Sequence, residues 1–397
     1  MPDGTQVTQD HITRELDGDA LQAMRRAGDV EPEQPTVIRS LARKGRGAIT
    51  NPPVRYDRRS TDAFDDGWSF LSDSEVLPPL RTTLHRDNSK SAISWNESPD
   101  LGFDRAVNPY RGCEHGCIYC YARPSHAYLG YSPGLEFETE IVYKPDVAVL
   151  LERELAKPGY EPRSLALGSN TDPYQPVERT MRLTRSVLEV LDRTNHPVTI
   201  VTKSASVVRD IDVLARMAAR NLVRVCLSVT TLDPVLARHM EPRASSPAMR
   251  LRAITELSQA GVPTGVLAAP MIPGLTDPEL ESIVEAAHRA GARTANYILL
   301  RLPLELREMF TAWLQEHMPE RARRVLSLIR ETRAGALNDS RFHDRFRGSG
   351  AHADLLRQRF DRLRRVHRLE DRSPLDTSSF RRPASLQTGQ AAQLTLF

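Results

Sequence analysis

The chain has 397 residues, 54 Lys+Arg against 51 Asp+Glu, 40% hydrophobic and 6% aromatic residues, 28 Pro and 4 Cys. These figures describe a soluble, mostly globular protein with one large domain and appendages. No window approaches the ~18 to 20 uninterrupted apolar residues of a membrane span, and the N-terminus lacks a basic-then-apolar signal, so no membrane partner is expected. Four cysteines are too few for a disulfide framework. Three of them, Cys113, Cys117 and Cys120, fall within eight positions, which points to metal chemistry in a reducing, cytoplasmic compartment.

In chain order, residues 1–60 are rich in Pro, Asp, Arg and Gly, contain the basic run 43–47 and read as disordered or draped over the body. Residues 61–102 form a loop-rich segment whose Trp95, with neighbouring Phe103, is expected to pack on the core. From 103 to 303 short β-branched runs alternate with amphipathic stretches. Strands are predicted at 105–110, 164–168, 198–202, 223–229, 264–268 and 296–300, with helices at 178–192, 207–220, 248–259 and 277–290. Six strand-helix units predict an α/β fold, a partial (β/α)6 TIM-type barrel, with its chemistry at the C-terminal strand ends. Ser169-Asn170-Thr171-Asp172, Thr202-Lys203-Ser204 and Ser228 fall at those ends.

A basic helical extension is expected over 304–374, followed by a flexible tail over 375–397. Residues 321–382 hold 17 Arg and no Lys against 8 acidic residues. The excess reads either as a solvated helical surface or as a phosphate-binding face; Phe342 and Phe346, interleaved with Arg341, Arg345 and Arg347, favour the second.

The cysteines form a CxxxCxxC loop, with Gly112 and Gly116 permitting the sharp turns that gather three sulfurs. Three thiolates suit an iron-sulfur cubane with one iron left open. A zinc site would have to recruit His115 or the distant Cys226, and unligated structural thiols are the third option. Cys226 reads as a small buried strand residue. Asp172 is expected to hold its loop through backbone hydrogen bonds, Glu241-Pro242-Arg243 to form a rim ion pair, and His126 to cap a helix or meet substrate.

CxxxCxxC with an aromatic residue before the third cysteine, at the end of the first predicted strand of a partial barrel, resembles the radical S-adenosylmethionine (SAM) superfamily. The resemblance implies a 4Fe-4S cluster on Cys113, Cys117 and Cys120, SAM on its open iron, and reductive cleavage of SAM to a 5′-deoxyadenosyl radical. The strings at 108–113 and 117–123 more closely resemble the spore photoproduct lyase-like branch, also labelled DNA repair photolyase-like. That resemblance implies radical-relay roles for Tyr119 and Tyr121, against plain packing, and SAM contacts for Ser169, Asn170, Thr171, Lys203 and Ser228. The lyase's hydrogen-donating cysteine would fall near Ser169 or Asn170, and neither supplies a thiol. The string at 168–176 is shared with an uncharacterised bacterial branch of the superfamily.

The tail ends Gln393-Leu394-Thr395-Leu396-Phe397. It resembles the motif by which bacterial repair and replication proteins dock on the DNA polymerase sliding clamp, with Gln393, Leu394, Leu396 and Phe397 as contacts. The leading expectation is a radical SAM enzyme acting on DNA in repair, served by an unidentified electron donor. The alternatives are a radical SAM enzyme acting on RNA, protein or a small molecule, and a non-enzymatic iron-sulfur protein recruited to the clamp.

Overall fold

A computed structural model describes residues 45–56, 80–369 and 373–384. Strands β1 (Thr83–Arg86), β2 (Ile93–Trp95), β3 (Arg105–Val107), β4 (Tyr110–Arg111), β5 (Glu140–Tyr143), β6 (Leu165–Leu167), β7 (Val198–Thr202), β8 (Val223–Ser228), β9 (Thr264–Met271) and β10 (Thr294–Leu299) form two sheets. The larger has the order β10-β9-β8-β7-β6-β3-β2. Its six strands from β3 to β10 pair in parallel with each neighbour, and β2 caps the β3 edge antiparallel. Parallel neighbours in chain order require a crossover on one side each time, the topology of a (β/α)6 partial barrel.

The expected strands sit within a few residues of those observed, with one correction. The strand predicted at 105–110 stops at Val107, and Tyr110–Arg111 instead pairs with β5 in a three-stranded sheet, β1-β5-β4. Pro109 has no amide hydrogen to donate and interrupts the ladder there. The cysteine loop therefore leaves the small sheet rather than the barrel strand itself.

The crossover helices follow from apolar spacing. In α1 (Val147–Leu155), Val147, Leu151 and Leu155 are buried at i, i+4, i+8. Helices α2 (Leu183–Arg193), α3 (Ile211–Ala218), α4 (Pro247–Gln259) and α5 (Leu280–Arg289) turn similar stripes onto the sheet. Ser246 caps α4 by accepting from the Met249 amide at 3.4 Å, with Pro247 in the first turn.

Helices α6 (Leu306–His317), α7 (Pro319–Glu331) and α8 (Ala351–Val366) follow the barrel. Trp313, Phe310, Met309 and Val325 of α6 and α7 share an apolar cluster with Cys117, Ile118 and Tyr119, so this pair of helices props the cysteine loop from outside. Ala353, Leu356, Phe360 and Leu363 of α8 join the main barrel core. Two of the expected packing residues differ: Trp95 is 65% exposed, resting on the Arg105 guanidinium at 4.7 Å, and Phe103 is half-buried. At an edge strand one face of Trp95 has no neighbouring strand to cover it.

Among the described residues no helix is long and apolar enough to cross a membrane. The tail residues Gln393, Leu394, Leu396 and Phe397 lie outside the described residues.

Candidate active site

Cys113, Cys117 and Cys120 lie on the loop between β4 and a 3-10 turn at Arg123–Leu129, with Cys113 and Cys117 buried and Cys120 half-buried. Gly112 and Gly116 both have positive φ, 78° and 67°. At Gly116 a Cβ would also stand 2.7 Å from the Glu138 carboxylate, so the turn needs glycine twice over.

A buried ion pair holds this loop. Arg123, fully buried, meets Glu138 at 2.5 Å and donates to the carbonyls of Cys117 (2.9 Å) and Gly134 (2.8 Å). The same Glu138 carboxylate accepts the amides of Gly47 (3.1 Å) and Ala48 (2.8 Å), while Arg46 donates to the Glu138 carbonyl at 2.7 Å. A Cβ on Gly47 would collide with the Gly116 carbonyl at 1.8 Å. The stretch 45–56 is thus a wall of the cysteine loop, a contact with no signal in its composition.

Burial first, then the Asp172 carboxylate and the other two thiols, pushes the Cys113 thiol well above its ordinary range. Burial also raises Cys117, against the opposing pull of the Lys203 ammonium. A resident cation reverses that balance by favouring thiolate. Among the described residues no three His, Cys, Asp or Glu side chains are grouped to hold a single metal ion. The Nδ1 of His115, a fourth ligand weighed for zinc, instead faces Asp172 at 3.3 Å. Cys226 is half-buried rather than core, and lines a cavity of about 390 Å³ on the barrel's inner face with Ser169, Val201, Arg224 and Asn296. A three-thiol donor set with no fourth ligand grouped beside it among the described residues fits an open-iron cluster in its chemistry.

Asp172 ties three loops together. It accepts from the Tyr174 amide (2.9 Å), the Thr202 hydroxyl (2.7 Å) and the Lys203 amide (2.7 Å), and pairs with His115. Burial opposes its charge, but His115 and these donors outweigh burial and hold the carboxyl at about 2. Gln175, fully buried, adds a second bridge, accepting from the Glu114 amide at 2.9 Å and donating to the Gly112 carbonyl at 3.2 Å. Gly168 makes the approach possible: a Cβ there would lie 2.2 Å from the Val201 carbonyl.

The expected SAM-contacting residues converge only in part. Ser169 Oγ accepts from Asn108 at 3.3 Å, and the Asn170 amide donates to the Asn108 side chain at 3.1 Å. Thr171 is buried, its hydroxyl spent on the Tyr110 carbonyl at 2.9 Å, which makes it a loop-holding residue. Lys203, at the end of β7, places its ammonium 5.7 Å from the Tyr119 ring and has no carboxylate partner among the described residues. Ser228 ends β8, and its carbonyl accepts from Arg250 at 2.9 Å.

Tyr119 points inward, its hydroxyl bonded to Glu241 and to Thr230 (3.1 Å). Glu241 pairs with buried Arg250, and Arg243 pairs with Glu114 at 3.0 Å. The rim ion pair expected within Glu241-Pro242-Arg243 is therefore two separate pairs to other loops. Tyr121 is 52% exposed, its hydroxyl donating to the Ser169 carbonyl. His126 caps no helix. It is buried against Tyr131 and Phe137, and burial lowers its pKa to about 4. Asn108, Gln175, Glu138 and Arg250 went unmarked in the sequence; Asn108 and Gln175 stand inside the quoted strings, whereas the other two carry no local signal.

The arrangement is a rim of thiols, an unpaired ammonium and hydrogen-bonding loops at the C-terminal strand ends. The radical SAM superfamily profile matches residues 107–287. An uncharacterized protein of Mycobacterium tuberculosis is 37% identical over 253 residues, 62% of this chain and 74% of its own length. One of Methanocaldococcus jannaschii is 27% identical over 232 residues, 58% of this chain and 82% of its own. Among solved structures, spore photoproduct lyase complexed with dinucleoside spore photoproduct is similar with a TM-score of 0.44 and 17% identity, covering 60% of this chain and 66% of that one. The chain belongs to the radical SAM superfamily of enzymes.

Proposed function

We propose that Cys113, Cys117 and Cys120 hold a 4Fe-4S cluster, that SAM binds beside it, and that the enzyme acts on DNA in repair, as a member of the spore photoproduct lyase-like branch. The observation that carries the cofactor reading is the Lys203 ammonium, 5.7 Å from the Tyr119 ring, near enough for its charge to pull down the Cys117 thiol and with no carboxylate partner among the described residues. A cation placed beside the cysteine loop and left without a counter-charge suits the carboxylate of SAM. When bound, the cluster and SAM supply a reductively generated 5′-deoxyadenosyl radical.

The chain's residues have separable tasks on this reading. Lys203 binds carboxylate, while Ser169, Asn170 and Ser228 offer hydroxyl and amide contacts on neighbouring strand ends. Thr171 and Asp172 fix the loop that presents them. Tyr119 is held by Glu241 and Thr230, and Tyr121 donates to the Ser169 carbonyl, so the two tyrosines next to Cys120 in sequence are fixed to different loops. That placement supports a relay through them between cofactor and substrate.

The DNA reading is supported by the C-terminal arginines left over after internal pairing. Arg333 is buried against the Leu299 and Leu300 carbonyls, Arg359 pairs with Glu281, and Arg345 pairs with Asp100. Arg323, Arg324, Arg330, Arg362 and Arg368 are exposed with no ion pair among the described residues. Clamp docking through Gln393, Leu394, Leu396 and Phe397 is proposed from the sequence and predicts that removing Leu396 and Phe397 ends clamp binding.

The test is anaerobic. Wild type and Cys120→Ala are reconstituted with iron and sulfide, reduced with dithionite and given SAM, and 5′-deoxyadenosine is measured with and without DNA. Product from wild type alone, increased by DNA, is expected. Product indifferent to DNA would move the substrate to RNA, protein or a small molecule, and an intact, reducible cluster that yields none would leave a non-enzymatic role.

A further inference from the structure

One row of side chains at the C-terminal rim leads away from the proposed cofactor site, and past its first member, Tyr121, none of it has a role there. It starts at Tyr121, directly after the last cysteine. The Arg301 guanidinium, two residues past the end of β10, lies 6.0 Å from the Tyr121 ring and 5.1 Å from the Phe346 ring. Arg345 lies 4.8 Å from Phe346 and 4.8 Å from Phe342, and Phe342 is 55% exposed. Rings and guanidinium groups thus alternate from the cysteine loop outward: Tyr121, Arg301, Phe346, Arg345, Phe342.

The internal packing of the protein does not account for the exposed end of this row. An exposed phenylalanine such as Phe342 gains little from its own fold, and a contact between a ring face and an exposed guanidinium adds only about 0.5–1 kcal/mol. The charges are also unbalanced. Asp100 serves Arg345 at 2.6 Å and the His343 amide at 2.8 Å, and Arg341 is served by Asp339 and Asp344. Arg301 has no ion-pair partner among the described residues, although it is half-buried and its Nε is buried without a hydrogen bond. A desolvated guanidinium with no carboxylate is costly until an anion reaches it.

We propose that this row is a stacking platform for the unpaired bases of a DNA strand, with Arg301 meeting a backbone phosphate at the mouth of the barrel. The inference rests on the DNA reading and specifies it: the strand is engaged with its bases exposed. Base faces are available to rings only when a strand is single or a base is extruded, and alternating aromatic and arginine side chains suit that stacking without sequence preference. Duplex DNA keeps its base faces stacked and presents phosphates and groove edges, which the exposed arginines of α7 and α8 can meet without any ring.

The experiment uses the reconstituted full chain and three DNA probes of about a dozen nucleotides: a single strand carrying 2-aminopurine, its duplex, and an abasic strand of equal length. The single strand is expected to bind more tightly than the other two and to change 2-aminopurine fluorescence on binding. Phe342→Ala is expected to weaken single-strand binding about tenfold, with duplex binding unchanged and Phe342→Trp restoring the loss. Phe342 is exposed, so the near-ultraviolet circular dichroism of the variant should match wild type. Equal, salt-sensitive binding of abasic and base-bearing strands would overturn the platform and leave the DNA reading standing. Failure to bind any of the three probes would overturn both.

Discussion

At the N-terminal ends of the barrel strands the chain covers itself. Asn221, just before β8, donates to the Pro374 carbonyl at 3.0 Å and accepts the Asp376 amide at 2.9 Å; Arg224 donates to the Ser373 carbonyl at 2.9 Å. Farther along, Asn195 donates to the Ser379 carbonyl at 3.0 Å, and Phe380 packs on His196 and Tyr160. At the opposite end the loops are just as firmly tied to one another, yet three of the groups they present have no ion-pair or hydrogen-bond partner for their side chains among the described residues: half-buried Cys120, Lys203 and Arg301. The two ends share one sheet and differ in where their polar groups are satisfied. One end is satisfied by its own chain, whereas the other is rigid with charge and thiol to spare, which is how a fold reserves groups for something that binds.

The strongest way to break this comparison is to remove the open groups without disturbing their supports. On the proposed reading, Lys203→Met weakens SAM binding at least tenfold, measured by equilibrium dialysis on the reconstituted enzyme, and Lys203→Arg does not restore it, because a planar fork cannot replace a compact ammonium. Unchanged SAM affinity in Lys203→Met would remove the ammonium from the cofactor site. Attacking the support has the opposite signature. Glu138→Ala strands the buried Arg123 charge and frees the amides of Gly47 and Ala48, so a loss of about 3–5 kcal/mol in urea unfolding is expected before any effect on SAM is read. A loss below about 1 kcal/mol would mean that water replaces the carboxylate there.

The open groups were more legible in the sequence than their supports. Cysteine spacing singles out Cys113, Cys117 and Cys120, the proposed cluster ligands, because three of the chain's four cysteines fall within eight positions, and alternating apolar runs locate the six strands because each must present a face to the sheet. Predicted strand ends bring Lys203 and Ser228 to the same rim, whereas the resemblance alone implies SAM contacts for them. The supports are long-range: Glu138 meets Gly47 from 91 residues away, and Glu241 meets the Tyr119 hydroxyl from 122. A buried carboxylate looks like any other in composition, so nothing local marks it. The same limit explains Trp95 and Cys226. Apolar character sets the expectation of burial, and position at an edge strand or on a concave barrel face overrides it.

Acid sharpens the comparison with a smaller effect. Asp172 is held at about 2, below its ordinary 3.8, so its folded state binds its proton later than the unfolded chain does. Its ionisation contributes stability that is fully present above about pH 4 and is lost as pH falls through about 2. The contribution is about 2 kcal/mol by linkage. Asp172→Asn should lack this component: its stability relative to wild type should improve between pH 4 and pH 2, followed by urea unfolding at each pH. A difference that stays constant across that window would show that the carboxylate's charge is not what joins the three loops.

The closed end supplies the smallest effect and the cleanest separation. Phe380 is half-buried, with its ring edge-on to His196 at 5.6 Å and tilted against Tyr160 at 5.8 Å. Phe380→Ala removes a partly buried ring and two aromatic contacts, an expected loss of about 1–2 kcal/mol in unfolding free energy. The residue lies at the N-terminal strand ends, away from every group proposed to touch cofactor, so SAM affinity and the yield of 5′-deoxyadenosine at a temperature where the variant is folded should equal wild type. If the yield falls while the cluster's absorbance is retained, the strap over 373–384 is coupled to the open end through the barrel, and the two ends no longer divide into one that stabilises and one that reacts.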